Sequence, residues 1–146
     1  MNIYDIQISF GLELSNTITL NIYLSGCIDN KKCDRTHCHN PALHDFNVGG
    51  SYELWEKNIS SYLSSKLIEG IILIGGEPFD QQLEDLKLFL KFLSSFNKPI
   101  FAYTGYFYND IPLPMQQLFH FFKSIYAGPY IPDQPEIQTW VNPSKQ

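Results

Sequence analysis

The sequence is short of charge, and of positive charge above all. Charged residues make up only 17% of the 146 residues, and 10 Lys and Arg stand against 15 Asp and Glu, for a net charge of -5. A chain with this acidic balance lacks the general attraction to phosphate backbones and anionic lipid surfaces that basic proteins have. We therefore expect neither nucleic acid nor a membrane as a partner.

Long apolar runs are also missing. No stretch approaches the roughly 20 apolar residues that a membrane-spanning helix needs. The first residues, MNIYDIQISF, do not place a positively charged region before an apolar core as a secretion signal does. We expect a cytoplasmic protein. Because 44% of the residues are apolar, the sequence predicts one domain with its own core over residues 1–146.

Cysteine is scarce, and all of it lies in one short segment. Cys27, Cys33 and Cys38 fall within CIDNKKCDRTHCHN, and His37 and His39 flank the last of them. An odd number of cysteines in a reducing compartment argues against a disulfide framework. Clustered thiolates suit either a four-iron cluster with one iron left open or a Cys3His zinc site. The cysteines alone favour neither.

Apolar periodicity predicts strands that alternate with helices. The predicted strands are YDIQISF, NTITLNIYL, GIILIGG, KPIFAYTG and KSIYAG, with an edge strand near residues 137–141. One helix is predicted from Ser51 to about Leu67, one from a cap at Asp80 to about Phe96, and a short one near residues 115–122. The buried stripe predicted for the first helix is Leu54, Trp55, Ile59, Tyr62 and Leu63.

This alternation favours an α/β fold with a mostly parallel sheet and right-handed crossovers. Since a closed barrel of eight strand–helix units needs about 250 residues, we predict a partial, open βα barrel. Residues 27–50 form a long loop, and residues 129–146 form an extended tail. Cys27, the GGEP segment from Gly75 and the TGY segment from Thr104 each follow a predicted strand. Ligands gather at the carboxyl ends of parallel strands, so the sequence predicts one site at that edge.

The cysteine segment and the GGEP segment together resemble a known superfamily. Three cysteines after the first strands, then GGEP after a later strand, are similar to the arrangement in radical S-adenosylmethionine (radical-SAM) proteins. Within that superfamily, CHNPALHDFNVGG, GGEPFDQ, YTGY and AGPYIPDQPE resemble the small activating proteins of anaerobic ribonucleotide reductase. The resemblance runs from about Gly26 to the C-terminus.

The resemblance implies two cofactors, a [4Fe–4S] cluster and SAM. Three irons of the cluster are held by Cys27, Cys33 and Cys38, and SAM chelates the fourth. The implied SAM contacts are Gly75, Gly76 and Glu77 for the amino group, and His37, Cys38 and His39 for the adenine. Thr104, which ends a strand at the same edge, is a further candidate for a SAM contact.

The resemblance also implies a reaction and its partners. One electron, supplied by a donor such as a flavodoxin, cleaves SAM. The resulting 5′-deoxyadenosyl radical then takes a hydrogen atom from a glycine of the large glycyl-radical reductase subunit. Two other readings compete with this one: a small radical-SAM enzyme that acts on a small molecule, and an α/β interaction module that holds structural zinc.

The cysteine spacing departs from the superfamily pattern. The usual spacing is CxxxCxxC, whereas here five residues separate Cys27 from Cys33 and four separate Cys33 from Cys38. The loop absorbs these extra residues at little cost, since doubling a loop costs only about 0.6 kcal/mol. Hydrogen bonds to the cluster sulfurs depend on the loop path, so the spacing bears on redox potential. A second departure is Ala127, where the family tends to carry Asp.

Overall fold

A seven-stranded sheet organises the protein. The computed structural model describes residues 1–11, 16–28, 36 and 38–146, and every structural statement below concerns these residues. The strands are β1 (Asn2–Phe10), β2 (Ile18–Leu24), β3 (Gly50–Ser51), β4 (Gly70–Gly75), β5 (Ile100–Thr104), β6 (Ser124–Ala127) and β7 (Thr139–Val141). The helices are α1 (Tyr52–Leu63), α2 (Leu83–Ser94) and α3 (Leu113–Gln116).

The strands lie in the order β3-β1-β2-β4-β5-β6-β7. The four central strands, β2, β4, β5 and β6, are parallel to one another, while β1, β3 and β7 pair antiparallel toward the two ends of the sheet. The continuous apolar run of β4 explains its central place, because strands buried on both faces lose the polar alternation of half-exposed ones. The mixed α/β class and the mostly parallel sheet are confirmed, and the open barrel stays a prediction.

The main core lies between one face of the sheet and the helices. Alternate residues of each central strand point to that face, as the two-residue period of a strand requires. Helix α2 contributes Leu86, Phe89, Leu90 and Leu93 at helical spacing, and all four are buried. Phe79, from the short turn after β4, packs its ring against Phe119 and Phe122. This packing fixes the turn that follows β4, which is where the candidate site begins.

Helix α1 is shorter than the sequence predicted and turns a narrower face to the core. It ends at Leu63 rather than near Leu67, and only Ile59 and Leu63 are buried. Leu54 is 76% exposed and Tyr62 is 42% exposed, so their predicted burial is wrong. The helix contacts the sheet near its edge, where a stripe of every fourth residue is enough to fill the contact.

Helix α2 begins later than predicted and has a different cap. The Gln82 side chain accepts from the Asp85 N–H at 2.9 Å, and the helix starts at Leu83. The predicted cap, Asp80, lies instead in a 3-10 turn, Pro78–Asp80. That turn forms because Pro78 supplies the backbone angle of a helical first position directly after the strand.

The third predicted helix is divided into two shorter elements. α3 is followed by a separate 3-10 turn, Phe119–Phe121. A 3-10 turn also occupies Pro41–His44 within the long loop. Each helix in the described ranges is too short or too polar to span a bilayer.

Substitution by alanine should have a large effect on stability on the buried face of α1 and a small effect on its exposed face. Ile59→Ala removes a fully buried side chain and should lower the free energy of unfolding by about 2 to 5 kcal/mol. Leu54→Ala, five residues earlier and on the exposed face, should change it by no more than about 0.5 kcal/mol. Urea unfolding of both variants measures the difference. Equal losses would contradict the observed orientation of the helix.

Candidate functional site

The ends of β2 and β4 are joined directly by main-chain hydrogen bonds. The Gly76 N–H donates to the Leu24 carbonyl at 2.8 Å, and the Glu77 N–H donates to the Gly26 carbonyl at 2.8 Å. The pairing of the two parallel strands therefore continues past their ends. As the sequence predicted, the GGEP turn lies beside the residues that lead into Cys27.

Glycine is required at position 76 because the main chain there packs directly against the main chain of Gly26, which leaves no room for a side chain. A Cβ atom on Gly76 would lie 2.4 Å from the Gly26 carbonyl oxygen and 2.9 Å from the Leu24 carbonyl oxygen. Gly75 has φ +109°, a conformation that residues with a side chain rarely adopt. We predicted these glycines as points where a ligand approaches the backbone. Both glycines line the cleft described below, and Gly76 also packs closely against the main chain at Gly26.

The start of the cysteine loop is held from its other side as well. The Gly26 N–H donates to the Leu43 carbonyl at 2.9 Å, and the Cys27 N–H donates to the His44 carbonyl at 3.3 Å. The loop thus returns, through its 3-10 turn, to lie alongside the residues from which it started. This return brings His44 to the edge of the sheet where Cys27 lies.

A cleft opens at this edge between the cysteine loop and the ends of the central strands. Its lining includes both described cysteines, Cys27 and Cys38, which are half-buried and free of disulfides. The other predicted site residues that line it are Gly75, Gly76, Glu77 and Thr104. Six of the predicted site residues therefore share one cleft.

Of the three remaining predicted site residues, two fall outside the described residues and one lies away from the cleft. Cys33 and His37 lie outside the described residues, so their predicted contacts stay predictions. His39 is exposed and does not line the cleft, and its ring packs edge-on against Tyr130 with centroids 4.6 Å apart. Its adenine contact also stays a prediction.

Glu77 is the buried polar centre of the site, with 1% of its surface exposed. Its carboxylate accepts from the Thr104 hydroxyl at 2.7 Å, the Gly105 N–H at 2.8 Å and the Phe79 N–H at 3.1 Å. Burial raises the pKa of Glu77 to about 7, and the charge of Asp80 adds to the rise. The three hydrogen bonds oppose that rise because they favour the charged form.

These bonds give Glu77 and Thr104 roles that sequence reasoning did not foresee. The Glu77 carboxylate ties the turn after β4 to the end of β5, where we had predicted an acceptor for an amine. The Thr104 hydroxyl donates to Glu77 and also accepts from the Tyr106 N–H at 3.1 Å. Its single proton is thus used within the protein.

Asp80 and Gln81 are site residues that the sequence analysis missed. Asp80 accepts from the Ile28 N–H at 2.8 Å. The buried Gln81 amide donates to the Ser25 and Glu77 carbonyls, each at 3.1 Å. The GGEPFDQ segment drew attention to both residues, but nothing in a single sequence shows which strand end a side chain reaches.

Aromatic rings form the wall of the cleft on the β6 side. Tyr103 and Tyr126 line it, and their ring centroids are 5.0 Å apart. Trp140 of β7 packs against both rings, at centroid distances of 5.6 and 5.1 Å. Trp140 therefore covers the sheet beside the cleft, and it remains 40% exposed.

The donors present fit an iron–sulfur group as far as the described residues extend. Two soft thiols, Cys27 and Cys38, line one cleft, which is the donor chemistry that such clusters use. No group of three His, Cys, Asp or Glu side chains suited to a metal ion occurs among the described residues, and Cys33 lies outside them. The buried hydroxyl of Ser25, two residues before Cys27, has no hydrogen-bond partner in the described structure. A donor of this kind suits a cluster sulfur.

Comparison with known proteins points the same way as this chemistry. Residues 17–146 match the family described as a 4Fe-4S single cluster domain. Over 123 residues the chain is 25% identical to the anaerobic ribonucleoside-triphosphate reductase-activating protein of Enterobacteria phage T4, a match that covers 82% of this chain and 75% of that protein. These matches confirm the resemblance to the activating proteins that was drawn from the motifs.

The close contact at Gly76 predicts a position-specific loss of stability. Gly76→Ala places a methyl group against main-chain atoms that cannot turn aside, and should cost about 3 kcal/mol. Gly70→Ala is the matched control at the other end of β4, where the nearest side-chain atoms are at an ordinary 3.5 Å. Gly70→Ala should cost less than about 1 kcal/mol. Thermal unfolding of both variants tests this, and a tolerated Gly76→Ala would contradict the contact.

The raised pKa of Glu77 predicts that stability falls as pH rises. In the unfolded chain the group loses its proton near its ordinary pKa of 4.5, whereas in the folded protein it keeps the proton to about pH 7. Between those values the folded state binds more protons, so its stability declines, and it levels off above pH 7. From pH 5 to pH 8 the Glu77 contribution should be a loss of about 2 to 3 kcal/mol.

Urea unfolding at pH 5 and pH 8 measures this, with Glu77→Gln as the comparison because glutamine does not titrate. The glutamine variant is expected to be less stable overall, since its one acceptor oxygen cannot serve all three donors. Its stability should nevertheless change less between the two pH values than that of the wild type. The same change in both proteins would show that Glu77 does not titrate in this range.

Proposed function

Because this chain belongs to the family of 4Fe-4S single cluster domains, we propose that it is a radical-SAM enzyme that activates an anaerobic ribonucleotide reductase. The observation that carries the proposal is the cleft that brings the thiols of Cys27 and Cys38 to the turn of Gly75, Gly76 and Glu77. A zinc-binding interaction module has no need of a glycine–glutamate turn beside its thiols. The identity of the phage T4 protein supports the choice of partner.

Cys27, Cys33 and Cys38 are the proposed ligands of the cluster, and SAM is the proposed ligand of its remaining iron. When bound, the reduced cluster supplies the single electron that cleaves SAM, and this cleavage leads to a glycyl radical on the large reductase subunit. A flavodoxin or a similar one-electron donor provides the electron. The protein works in the cytoplasm of an anaerobic cell, because oxygen destroys such clusters.

The residues of the turn bind SAM through their main chain in this proposal. The Glu77 carboxylate is committed to Thr104, Gly105 and Phe79, so it is a poor acceptor for a further amine. The main-chain carbonyls of the two glycines are the proposed acceptors for the SAM amino group, because the Glu77 carbonyl already accepts from Gln81. Glu77 and Thr104 then act by holding the turn in place.

The adenine and the substrate have proposed places on the two sides of the same cleft. The adenine is assigned to the segment from His37 to His39, of which Cys38 lines the cleft. The rings of Tyr103 and Tyr126 border the other side and present an aromatic surface to the incoming glycine segment. The cleft is open to solvent, which suits a substrate that is part of another protein.

Anaerobic reconstitution tests the cofactors first. We expect iron and sulfide in equal amounts, as a [4Fe–4S] cluster requires, and cleavage of SAM to 5′-deoxyadenosine and methionine after reduction with dithionite. Cys27→Ser, Cys33→Ser and Cys38→Ser should each lose the bound iron. His120→Ala, which alters an exposed histidine distant in sequence, should keep it. One zinc per chain without iron or sulfide would overturn the proposal.

The partner is tested separately with the large subunit of an anaerobic ribonucleotide reductase. After incubation with the reconstituted protein, SAM and a reductant, an EPR doublet of a glycyl radical should appear on that subunit. Omission of SAM is the control and should abolish the doublet. SAM cleavage that yields no doublet, together with turnover of a free metabolite, would favour a small-molecule substrate instead.

A further inference from the structure

We propose that Asp80 is a positioning residue that fixes the first cysteine of the loop, Cys27, against the glycine–glutamate turn before any cluster is bound. Asp80 follows that turn directly, in the 3-10 turn Pro78–Asp80. The inference rests on the proposed function only in taking Cys27 as a cluster ligand. The hydrogen bonds that hold the loop join protein atoms alone and do not depend on a bound cluster.

The two oxygens of the Asp80 carboxylate serve two different parts of the chain. Oδ2 accepts from the main-chain N–H of Ile28, the residue that follows Cys27, at 2.8 Å. Oδ1 accepts from the Tyr106 hydroxyl in a short hydrogen bond. Tyr106 is itself anchored, because it is buried and its N–H donates to Thr104 at the end of β5. The carboxylate is therefore held in one orientation while it binds the loop.

The residue before the loop is tied to the same short turn. Gln81, next to Asp80, donates its side-chain amide to the Ser25 carbonyl and to the Glu77 carbonyl, each at 3.1 Å. Cys27 thus lies between Ser25 and Ile28. Gln81 binds the first of these residues and Asp80 binds the second. The Gly26 carbonyl between them accepts from the Glu77 N–H. The main chain on both sides of the thiol is fixed.

A residue other than Asp80 caps the helix that follows it. Helix α2 is capped by Gln82, whose side chain accepts from the Asp85 N–H. The Asp80 carboxylate instead bonds a residue 52 positions earlier in the chain. A hydrogen bond from an N–H to a charged carboxylate is stronger than one between neutral groups. Fixing a metal ligand in advance raises metal affinity, because less disorder is lost when the metal binds.

The test compares three substitutions in the full-length protein. Asp80→Ala removes the acceptor for Ile28, whereas Asp80→Asn keeps an oxygen that can still accept from it. Gln82→Ala is the matched control, since it removes the cap of α2 two residues away and leaves the loop bonds in place. Tyr106→Phe removes only the hydroxyl that orients the carboxylate, and it provides a milder change should Asp80→Ala fail to fold.

Two readouts use the protein without metal. Hydrogen exchange at the Ile28 amide, followed by NMR, should be about tenfold faster in Asp80→Ala, as expected for loss of a charge-assisted hydrogen bond. Alkylation of Cys27, resolved by peptide mass spectrometry, should accelerate by a similar factor. Gln82→Ala should stay close to the wild type. Asp80→Asn, which keeps an acceptor without the charge, and Tyr106→Phe should both lie between the wild type and Asp80→Ala.

A third readout uses the reconstituted protein. Transfer of iron to a chelator should be about tenfold faster from Asp80→Ala than from the wild type, and Asp80→Asn should lie between them. Unchanged rates at Ile28 and Cys27 in Asp80→Ala, or equal rates in Gln82→Ala and Asp80→Ala, would overturn the inference. If no variant binds iron, the proposed function fails, while the two metal-free readouts still decide the role of Asp80.

Discussion

The contact between two strand ends, β2 and β4, determines most of the site. Two hydrogen bonds of 2.8 Å extend the parallel pairing into the turn after β4 and the start of the cysteine loop. This contact is possible only because Gly76 leaves room for the main chain at Gly26. Cys27 and the Gly75–Gly76–Glu77 turn, which line one part of the cleft, take their positions from these two segments. The glycines therefore have a structural role that any ligand-binding role must share.

Burying Glu77 is the main energetic cost of this arrangement. A carboxylate removed from water is unfavourable unless hydrogen bonds replace its hydration. Glu77 receives three such bonds, yet burial still raises its pKa to about 7. In return, one side chain connects the turn after β4 to the end of β5, and Thr104 and Gly105 become part of the same rigid unit. A functional edge built from separate strands needs a connection of this kind.

Sequence patterns predicted the sheet well, because strand burial leaves a direct trace in apolar alternation. The GGEP turn and Cys27 were placed at one edge for the same reason. Helix details were predicted less well. Leu54 fits a helical stripe but is exposed, since α1 contacts the sheet near its edge at β1 and β3. Asp80 is a favourable cap residue, yet its carboxylate accepts hydrogen bonds from Ile28 and Tyr106 instead.

The contacts at the base of the cysteine loop bear on its unusual cysteine spacing. Extra residues between Cys27 and Cys38 add little loop-closure entropy, but they leave the thiols less constrained by one another. Constraints from outside the loop then matter more. The structure supplies them through Asp80, Gln81 and the 3-10 turn that contains Leu43 and His44. A longer loop held at its base preserves the position of Cys27, the first of the proposed ligands, so the changed spacing is compatible with the proposed cluster.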